Sequence, residues 1–320
     1  MARATASTTS GPVAVVIPTL NRIADLRACV ESVAAQTRAP DLVLVVDNGS
    51  TDGTRDFLGR TDGLTPLLQE RNAGAPGGFE IGVREAIARG AEWIWLLDDD
   101  AVAAPTALAE LMGRATTASG PIGGLAPTVE FGDGRRETGW LWGARATSEL
   151  GQSPNVPDDQ GETPAQDVDW APFAGLMLTR AACEQVGAIR ADYVLWHADV
   201  EYCLRLRIAG FQLLAAPEAL VRHPAMPMIS RRIVGRTVTV GRIAPWREYY
   251  DTRNRWLLAR TVRGTAFERR VAPIARARDE LARAVAVLLA DPGGTRRLWM
   301  RALGAVDGAR GRITRRPEAR

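Results

Sequence analysis

The sequence lacks lysine altogether. All forty cationic residues are arginines, and against 37 acidic residues they leave a formal net charge of +3. A composition bias of the genome explains the arginine preference most simply. We therefore do not interpret it as a nucleic-acid signature and expect no nucleic-acid partner.

Cysteine and histidine are also scarce. The three cysteines, Cys29, Cys183 and Cys203, have no metal-ligand spacing, and the chain contains two histidines. This pattern excludes a cysteine-based zinc module. Cys29 and Cys203 lie among apolar neighbours in helix-like stretches, where a small buried thiol is the usual state.

Long apolar runs are absent as well. A membrane-spanning helix needs about 20 apolar residues, but the best candidate, 281–290, contains Arg283 and is followed by Pro292. The chain does not open with the apolar region of a signal peptide. We therefore expect a cytoplasmic protein without a transmembrane helix.

Arginine is concentrated towards the C-terminus, from Arg222 onward. Near an anionic lipid surface, each suitably placed cation contributes about 1 kcal/mol to binding. The basic segment therefore favours peripheral contact with the inner face of the membrane. A solvated, disordered tail explains the same residues, and both interpretations stay open.

The first part of the chain alternates strands and helices. Continuous apolar runs, typical of strands buried on both faces, occur at 13–17, 42–46 and 93–97, and a further short strand is expected at 64–69. Between them, apolar residues recur at helical spacing from Ile23 to Val33 and from Phe79 to Ile87. This alternation predicts an α/β fold with a doubly wound, mostly parallel sheet flanked by helices.

The alternation loosens after about residue 110. Residues 152–167 are rich in Pro, Gly, Asp and Gln and predict a loop. A helix is expected at about 199–209, followed by two short strands at 211–215 and 220–223. From Tyr249 onward, the pattern predicts one or two basic helices.

The domain organisation follows from length and composition. With 46% apolar residues, a chain of 320 residues can bury a substantial core. We expect a disordered leader (1–12), a main domain (13–245) and a basic helical extension (246–320).

Three consecutive carboxylates, Asp98–Asp99–Asp100, follow the strand predicted at 93–97. In an extended chain Asp98 and Asp100 would project to the same side, about 7 Å apart at the backbone. Two such carboxylates suit one hard divalent cation, which prefers oxygen ligands. An acidic turn that caps the helix near Pro105 explains the triplet equally well.

Two earlier loops are expected to open on the same sheet edge. Thr19 and Arg22 follow the first strand, and Asp47 follows the second. Arg22 can neutralise a phosphate, and Asp47 can accept hydrogen bonds from a base or ribose.

A glycine-rich stretch, 73–78, follows Asn72 and leads into a helix. Its backbone could approach a diphosphate closely. Ordinary turn chemistry and a flexible loop are the alternatives.

Two further sites have both a structural and a chemical interpretation. Asp199, in Trp196–His197–Ala198–Asp199, stands at the start of a predicted helix. It can stabilise the helix N-terminus or act as a general base. His223 ends a predicted strand and could supply an imidazole ligand to a metal, although a lone histidine is more often structural.

Taken in this order, the parts resemble the inverting glycosyltransferases of family 2, which share the nucleotide-sugar-binding fold called GT-A. The resemblance covers about residues 13–260. It is carried by the following stretches: VVIPTLNR, VVDNGSTDGT, ERNAGAPGGF, WIWLLDDDA, HADVEYCLRLRIAGF and RHP. It is strongest to bacterial galactofuranosyltransferases and related rhamnosyltransferases, and it implies a nucleotide-binding half (13–110) and an acceptor-binding half (111–245).

The resemblance also implies a role for each site residue. The donor, a UDP- or dTDP-sugar resembling galactofuranose or rhamnose, would be held by Thr19, Arg22, Asp47, Asn72, Asp98 and Asp99. Mn²⁺ or Mg²⁺ would be bound by Asp98, Asp100 and His223. Asp199 would be the general base. An acceptor hydroxyl on a glycan, glycolipid or small natural product would be bound near Trp170, Phe173, Gly175, Trp196 and His197.

The sequence departs from the family pattern at two places. These departures bear on which donor sugar is used and not on the type of reaction. Ala198–Asp199 stands where family members commonly carry an acidic pair, and Pro76 stiffens the glycine-rich stretch. Closure of a loop at about 224–243 is expected to keep water from the sugar. A sugar-phosphate nucleotidyltransferase and a non-catalytic nucleotide-sugar-binding module remain the alternative functions.

Overall fold

The computed structural model describes residues 11–118, 120–138, 167–261, 273–291, 294–314 and 317. Most of the predicted leader (1–12) and of the predicted loop (152–167) lies outside these residues. The described residues divide into two compact units. The first lies within 11–191 and 202–224, and the second comprises 192–201 and residues from 225 onward. The domain limits drawn from the sequence stay a prediction.

The strands are, in chain order, β1 (Val13–Thr19), β2 (Leu42–Asp47), β3 (Thr65–Leu68), β4 (Trp93–Leu96), β5 (Val102–Ala103), β6 (Ile122–Phe131), β7 (Arg136–Glu137), β8 (Met177–Thr179), β9 (Gln212–His223), β10 (Met228–Ile233) and β11 (Arg236–Gly241). The α-helices are α1 (Ile23–Ala34), α2 (Thr54–Arg60), α3 (Gly74–Ala88), α4 (Ala107–Ala115), α5 (Arg180–Val186), α6 (Ala198–Ile208), α7 (Pro245–Thr261), α8 (Pro273–Ala290) and α9 (Thr295–Arg310).

The first unit is built on one sheet with the strand order β3-β2-β1-β4-β8-β6-β9-β5, and β7 pairs with β6. The strands β3, β2, β1 and β4 pair in parallel. Antiparallel pairing enters where β8 joins β4 and where β5 joins β9. Because β1 is central and all seven of its residues are buried, its continuous apolar run is what such a position requires.

Helices cover both faces of this sheet. On one face, Val13, Val15 and Ile17 of β1 share a buried cluster with residues of α1 and α4. On the other face, α3 approaches β1 so closely that a Cβ atom on Gly82 would lie 2.2 Å from Cγ1 of Val16. Helices on both faces agree with the predicted doubly wound architecture.

The glycine-rich stretch belongs to a helix rather than to a loop before it. The helix α3 begins at Gly74 and includes Gly77 and Gly78. A Cβ atom on Gly78 would lie 2.5 Å from Cβ of Pro18. The glycines therefore serve close helix–strand packing, a function that the sequence interpretation did not include.

The two short strands predicted at 211–215 and 220–223 are one strand, β9. Its pairing with β6 passes from Ala216↔Pro127 directly to Leu220↔Thr128, so the residues between form a bulge. The hydroxyl of Thr128 donates to the carbonyl of Pro217, 3.0 Å away, within this bulge. The proline and the bulge interrupt the local pattern without ending the strand.

The second unit contains a hairpin and three helices. The strands β10 and β11 pair antiparallel from Met228↔Gly241 to Ile233↔Arg236, so the loop expected at 224–243 is a β-hairpin. The described residues after 244 form three helices rather than one or two. Glu248 on α7 pairs with Arg297 and Arg301 on α9, and all three side chains are buried. Among the described residues, no helix is long and apolar enough to cross a membrane.

Candidate functional site

The acidic triplet lies in a tight turn at the end of β4. The strand ends at Leu96, and the amide of Ala101 donates to the carbonyl of Asp98 at 3.0 Å. The expectation of an extended segment was therefore wrong. The turn still directs Asp98 and Asp100 to a common point, because both carboxylates contact the imidazole of His223.

His223 reaches the turn through the sheet. The strand β5 starts directly after the turn and pairs antiparallel with the end of β9, with Val102 opposite Arg222. This places Nε2 of His223 3.1 Å from Oδ1 of Asp100 and 3.5 Å from Oδ2 of Asp98. One ligand atom from each of the three residues lies within 4.8 Å of the others.

The second ring nitrogen of His223 is also engaged. Nδ1 lies 2.9 Å from the carbonyl oxygen of Pro224, which can only accept, so Nδ1 carries the hydrogen. Nε2 is then the nitrogen that faces the carboxylates. A histidine that binds a metal usually donates its other ring N–H to such an acceptor, so this geometry suits a ligand.

The distances fit a divalent cation. When two ligand atoms form bonds of about 2.1 Å to one ion at a right angle, the two atoms lie about 3 Å apart. The distances from Nε2 of His223 to the oxygens of Asp100 and Asp98, 3.1 and 3.5 Å, are close to this value. The two carboxylates suit Mg²⁺ or Mn²⁺, whereas the imidazole is more typical of a transition-metal ion such as Mn²⁺. The residues present therefore fit a bound divalent cation.

The charges of this group are strongly coupled. Burial favours the neutral ring of His223, but the carboxylates of Asp100 and Asp98 raise its pKa to about 10. Burial alone would raise the pKa of Asp100, but the hydrogen bond and charge of His223, together with Arg22, lower it to about 2. Without a cation, the ring of His223 is therefore protonated at neutral pH.

The loop after β1 joins the same group. The hydroxyl of Thr19 donates to Oδ2 of Asp99 at 2.8 Å. Arg22 lies 2.8 Å from Asp100 and 3.4 Å from Asp99.

These contacts shift the pKa values of the residues involved. Burial opposes the charge of Arg22, yet attraction by Asp99 and Asp100 raises its pKa. Burial raises the pKa of Asp99 to about 6, against the effect of Arg22. The predicted residues Thr19, Arg22, Asp98, Asp99, Asp100 and His223 thus form one connected cluster.

Asp47 is held by the protein itself. Its side chain is fully buried, Oδ1 accepts from the amide of Ser50 at 2.9 Å, and Oδ2 accepts from Nε of Arg55 at 2.7 Å. Arg55 also donates to the carbonyl of Gln69. The sequence interpretation missed Arg55, since nothing in its local pattern links it to Asp47. Asp47 anchors this loop, and its part in donor binding stays a prediction.

Asn72 lies at the start of α3. Its Oδ1 accepts from the amide of Gly74 at 2.7 Å, which satisfies one of the free N–H groups at the helix N-terminus. Asn48 connects this helix end to the end of β2, because its side chain bonds to Ala73 and Gly74. Asn72 therefore lies on the connection between β3 and α3, and β2 separates β3 from β1 in the sheet.

Three residues predicted to bind an acceptor belong to the first unit. Phe173 is buried, and its ring packs edge-on against those of Phe79 and Tyr202. Gly175 has a φ of +114°, and its carbonyl accepts from the indole of Trp95 at 2.9 Å. Trp170 is half-buried. The contacts of Phe173 and Gly175 are those of core residues, and acceptor binding by these three stays a prediction.

Asp199, Trp196 and His197 belong to the second unit. Asp199 lies in the first turn of α6, and its Oδ1 accepts from the amide of Val200 at 2.8 Å. Nε2 of His197 lies 2.8 Å from Oδ1 of Asp251 on α7. The guanidinium of Arg247 lies 6.0 Å from the ring centroid of Trp196. Asp251 was not predicted, because only the tertiary structure brings it to His197.

A model of the family described as glycosyl transferase family 2 matches residues 14–155. GlfT1 of Mycolicibacterium smegmatis, named a galactofuranosyltransferase, is 37% identical over 146 residues, which are 43% of this chain and 47% of that protein. The dTDP-rhamnosyl transferase RfbF of Shigella flexneri is 25% identical over 218 residues, 68% of this chain and 70% of that protein. The chain thus spans about half the length of the GlfT1 relative.

Solved structures share the fold at low sequence identity. The mannosyltransferase PcManGT from Pyrobaculum calidifontis, in complex with GDP-Man and Mn²⁺, has a TM-score of 0.56 and 16% identity, and the match covers 94% of this chain and 88% of that one. GalNAc-T7 with UDP, GalNAc and Mn²⁺ has a TM-score of 0.55 and 18% identity, with 70% and 44% covered. These likenesses confirm the predicted GT-A type of α/β fold. The match to the glycosyl transferase family 2 model over residues 14–155 and the similarity to GlfT1 and RfbF thus agree with the predicted enzyme family.

Proposed function

We propose that the chain is a metal-dependent, inverting glycosyltransferase that moves a sugar from a nucleoside diphosphate donor to an acceptor hydroxyl. The observation that carries this proposal is the convergence of Asp98, Asp100 and His223 beside Arg22. In open α/β sheets, ligands bind outside the carboxyl ends of strands. The cluster occupies such a place, at the ends of β1 and β4.

The cation would be held by Asp98, Asp100 and His223, and it would neutralise charge on the departing diphosphate. Mn²⁺ in the complexes of PcManGT and GalNAc-T7 supports manganese as a cation for this chain. Arg22 contacts the triad at Asp100, 2.8 Å away, and is partly exposed. We assign it to the diphosphate of the donor, as a permanent charge.

The remaining donor contacts are assigned to the neighbouring loops. Thr19 and Asp99, which bond to each other, would fix the acidic turn and contact the donor. Asp47 and Asn72 would orient the nucleotide, Asp47 through the loop that it anchors. The names of the relatives support a galactofuranose- or rhamnose-like sugar, and the name of RfbF supports dTDP as its carrier. The complex of GalNAc-T7 with UDP supports UDP as the alternative carrier.

Asp199 is assigned as the general base. It would take the proton of the acceptor hydroxyl while the oxygen forms a bond to the anomeric carbon. The bond from that carbon to the diphosphate breaks in the same step, and its electron pair leaves with the diphosphate. Attack from the opposite face inverts the anomeric configuration. Acceptor contacts are assigned to Trp170, Phe173, Gly175, Trp196 and His197.

The experiment follows the nucleotide product. The protein is incubated with Mn²⁺, UDP- and dTDP-sugars and a panel of hydroxyl-bearing acceptors, and the released nucleotide is identified. Release of nucleoside diphosphate with transfer supports the proposal. Pyrophosphate release from a sugar phosphate and a nucleoside triphosphate would instead indicate a nucleotidyltransferase. Donor binding without turnover would indicate a binding module.

The role of Asp199 is tested by substitution. Asp199→Asn should abolish transfer and leave donor affinity unchanged. Loss of donor binding in this variant would contradict the role of Asp199 as the base.

We also propose peripheral membrane contact through the basic C-terminal region. Among the described residues, ten of the twelve exposed large apolar side chains follow residue 225. Between residues 225 and 247 there are five exposed arginines and no acidic residue. Val234, at the tip of the β10–β11 hairpin, is 98% exposed. Apolar side chains flanked by arginines suit an anionic lipid surface.

The helix α8 adds an apolar stripe next to the hairpin. Leu281, Val285 and Leu288 are exposed at helical spacing, and Arg231 of β10 donates to the carbonyl of Leu289 at 3.4 Å. Sedimentation with phosphatidylglycerol vesicles should capture the protein, and phosphatidylcholine vesicles should capture less. Val234→Asp and Leu288→Asp should weaken capture, whereas Leu68→Asp, an exposed site in the first unit, should not. Equal capture of all variants would contradict this surface.

A further inference from the structure

The segment that leads into α6 has an unusual backbone. Val194, Trp196 and His197 have φ values of +62°, +55° and +62°. Side chains with a Cβ atom rarely adopt this left-handed region, least of all a β-branched one such as Val194. Three such residues within four positions persist only where the surrounding structure enforces them.

Two neighbouring side chains of α7 hold this segment. Nδ2 of Asn254 donates to the carbonyls of Tyr193, Leu195 and Trp196 at 3.0, 2.7 and 3.0 Å. Nη2 of Arg253 donates to the carbonyls of Asp192 and Tyr193 at 2.5 and 3.2 Å. Together the two side chains bind the carbonyls of four residues of the segment.

Arg253 and Asn254 are themselves rigidly placed. Both are fully buried, and Oδ1 of Asn254 accepts from Nε and Nη2 of Arg253 at 3.0 and 2.8 Å. The guanidinium also lies 4.8 Å from the ring centroid of Tyr250. One turn earlier on the same helix, Asp251 binds His197 and is bound in turn by Arg255 at 3.0 Å.

The conformation of this segment sets the start of α6. The carbonyl of His197 accepts from the amide of Glu201 at 3.0 Å, the first hydrogen bond of the helix. Asp199 lies within that first turn. A change at 194–197 would therefore rotate or shift the carboxylate of Asp199.

We propose that Arg253 and Asn254 are positioning residues that fix Asp199 by enforcing the left-handed segment before it. This inference rests on the proposed function of Asp199 as the base. A misplacement of about 1 Å in a reacting group can cost about a hundredfold in rate. Loss of the Asn254 amide should therefore lower the turnover rate rather than donor affinity.

The test compares Asn254→Ala and Arg253→Lys with Gln36→Ala. Gln36 is a buried carboxamide of the first unit that makes three hydrogen bonds to backbone groups, so its loss should cost comparable stability. Per folded molecule, Asn254→Ala should reduce kcat about 10–100-fold with donor KM within twofold, and Arg253→Lys should reduce kcat less. Gln36→Ala should retain kcat. Equal kcat values for Asn254→Ala and Gln36→Ala would overturn the positioning role.

Two further measurements separate this inference from the proposed function. In an Asp199→Asn background, Asn254→Ala should cause no loss of transfer beyond that of Asp199→Asn alone, because both changes act through one group. Amide hydrogen exchange at 193–201 should become faster in Asn254→Ala whether or not any transfer is detected. Unchanged exchange would overturn the inference alone, whereas faster exchange in a protein without transferase activity would overturn only the proposed function.

Discussion

Nε2 of His223 lies 3.1 Å from Oδ1 of Asp100 because β5, which starts directly after the acidic turn, pairs antiparallel with the end of β9. The pairing of strands in the sheet thus places the imidazole next to carboxylates that are distant in the sequence. A metal site built in this way depends on strand register as well as on its ligands. A shift of β9 by one residue would turn His223 to the other face of the sheet.

Removal of the imidazole should weaken cation binding. Loss of a partner that merely orients a ligand typically costs 10–100-fold in metal affinity, so loss of a direct ligand in His223→Ala should cost at least about tenfold. Mn²⁺ titration followed by electron paramagnetic resonance measures this. Asp25→Asn is the control, since Asp25 contacts Arg22 but lies outside the triad. Equal affinities of His223→Ala and the wild type would contradict the ligand assignment.

Cation binding should strengthen as pH rises. The pKa of His223 is raised to about 10 by Asp100 and Asp98, so at neutral pH the ring carries a proton that a cation must displace. Because one proton is released, Mg²⁺ affinity should rise up to about tenfold per pH unit between pH 6 and 8. Calorimetry in buffers of different ionisation enthalpy measures the proton release. The His223→Ala variant should show a flatter dependence, and a flat dependence in the wild type would contradict the assignment.

Arg55 should stabilise the fold through Asp47. Its guanidinium bonds to a fully buried carboxylate and to the carbonyl of Gln69, and loss of such a partner costs about 1–3 kcal/mol. Arg55→Met should therefore lower the free energy of unfolding by that amount in urea denaturation. Arg84→Met removes only an exposed pair with Glu80 and should cost less than about 1 kcal/mol. If both variants were equally stable, the anchoring role of Arg55 would be wrong.

A side chain at position 82 should destabilise the fold as long as Val16 is present. A Cβ atom there would lie 2.2 Å from Cγ1 of Val16, and such overpacking costs about 1–3 kcal/mol. Gly82→Ala should lower the thermal midpoint, and Val16→Ala in the same chain should recover part of the loss. In contrast, Gly113→Ala in α4 meets no atom within 4 Å and should gain about 0.5–1 kcal/mol. Equal effects of the two alanines would refute the close approach of α3 to β1.

The sequence predicted those parts that local pattern determines. Buried parallel strands need continuous apolar runs, so β1, β2 and β4 were found within two residues of their observed ends. The carboxyl ends of these strands pointed to Thr19, Arg22 and the acidic triplet, which the structure brings together. The single strand β9 was missed, because its bulge at 217–219 has the composition of a turn.

Residues that act through tertiary contacts could not be found in this way. Arg253 and Asn254 lie in an arginine-rich stretch whose pattern indicated only a helix, and the carbonyls that they bind belong to a segment some sixty residues earlier. Arg55 carries no local sign of its bond to Asp47. The geometry of the acidic turn was wrong for a related reason. The length of β4 is set by its pairing with β1 and β8, which the local sequence does not specify.

In the proposed mechanism, Asp98, Asp100 and His223 hold a cation that the donor diphosphate requires. The most direct test is the affinity of UDP and dTDP, measured by calorimetry with Mn²⁺ and with a chelator, for the wild type and for Asp100→Asn. We expect Mn²⁺ to tighten nucleotide binding to the wild type by about tenfold or more, and nucleotide to tighten Mn²⁺ binding by the same factor. Asp100→Asn should lose this coupling. Equal nucleotide affinity with and without Mn²⁺ in the wild type would contradict the account.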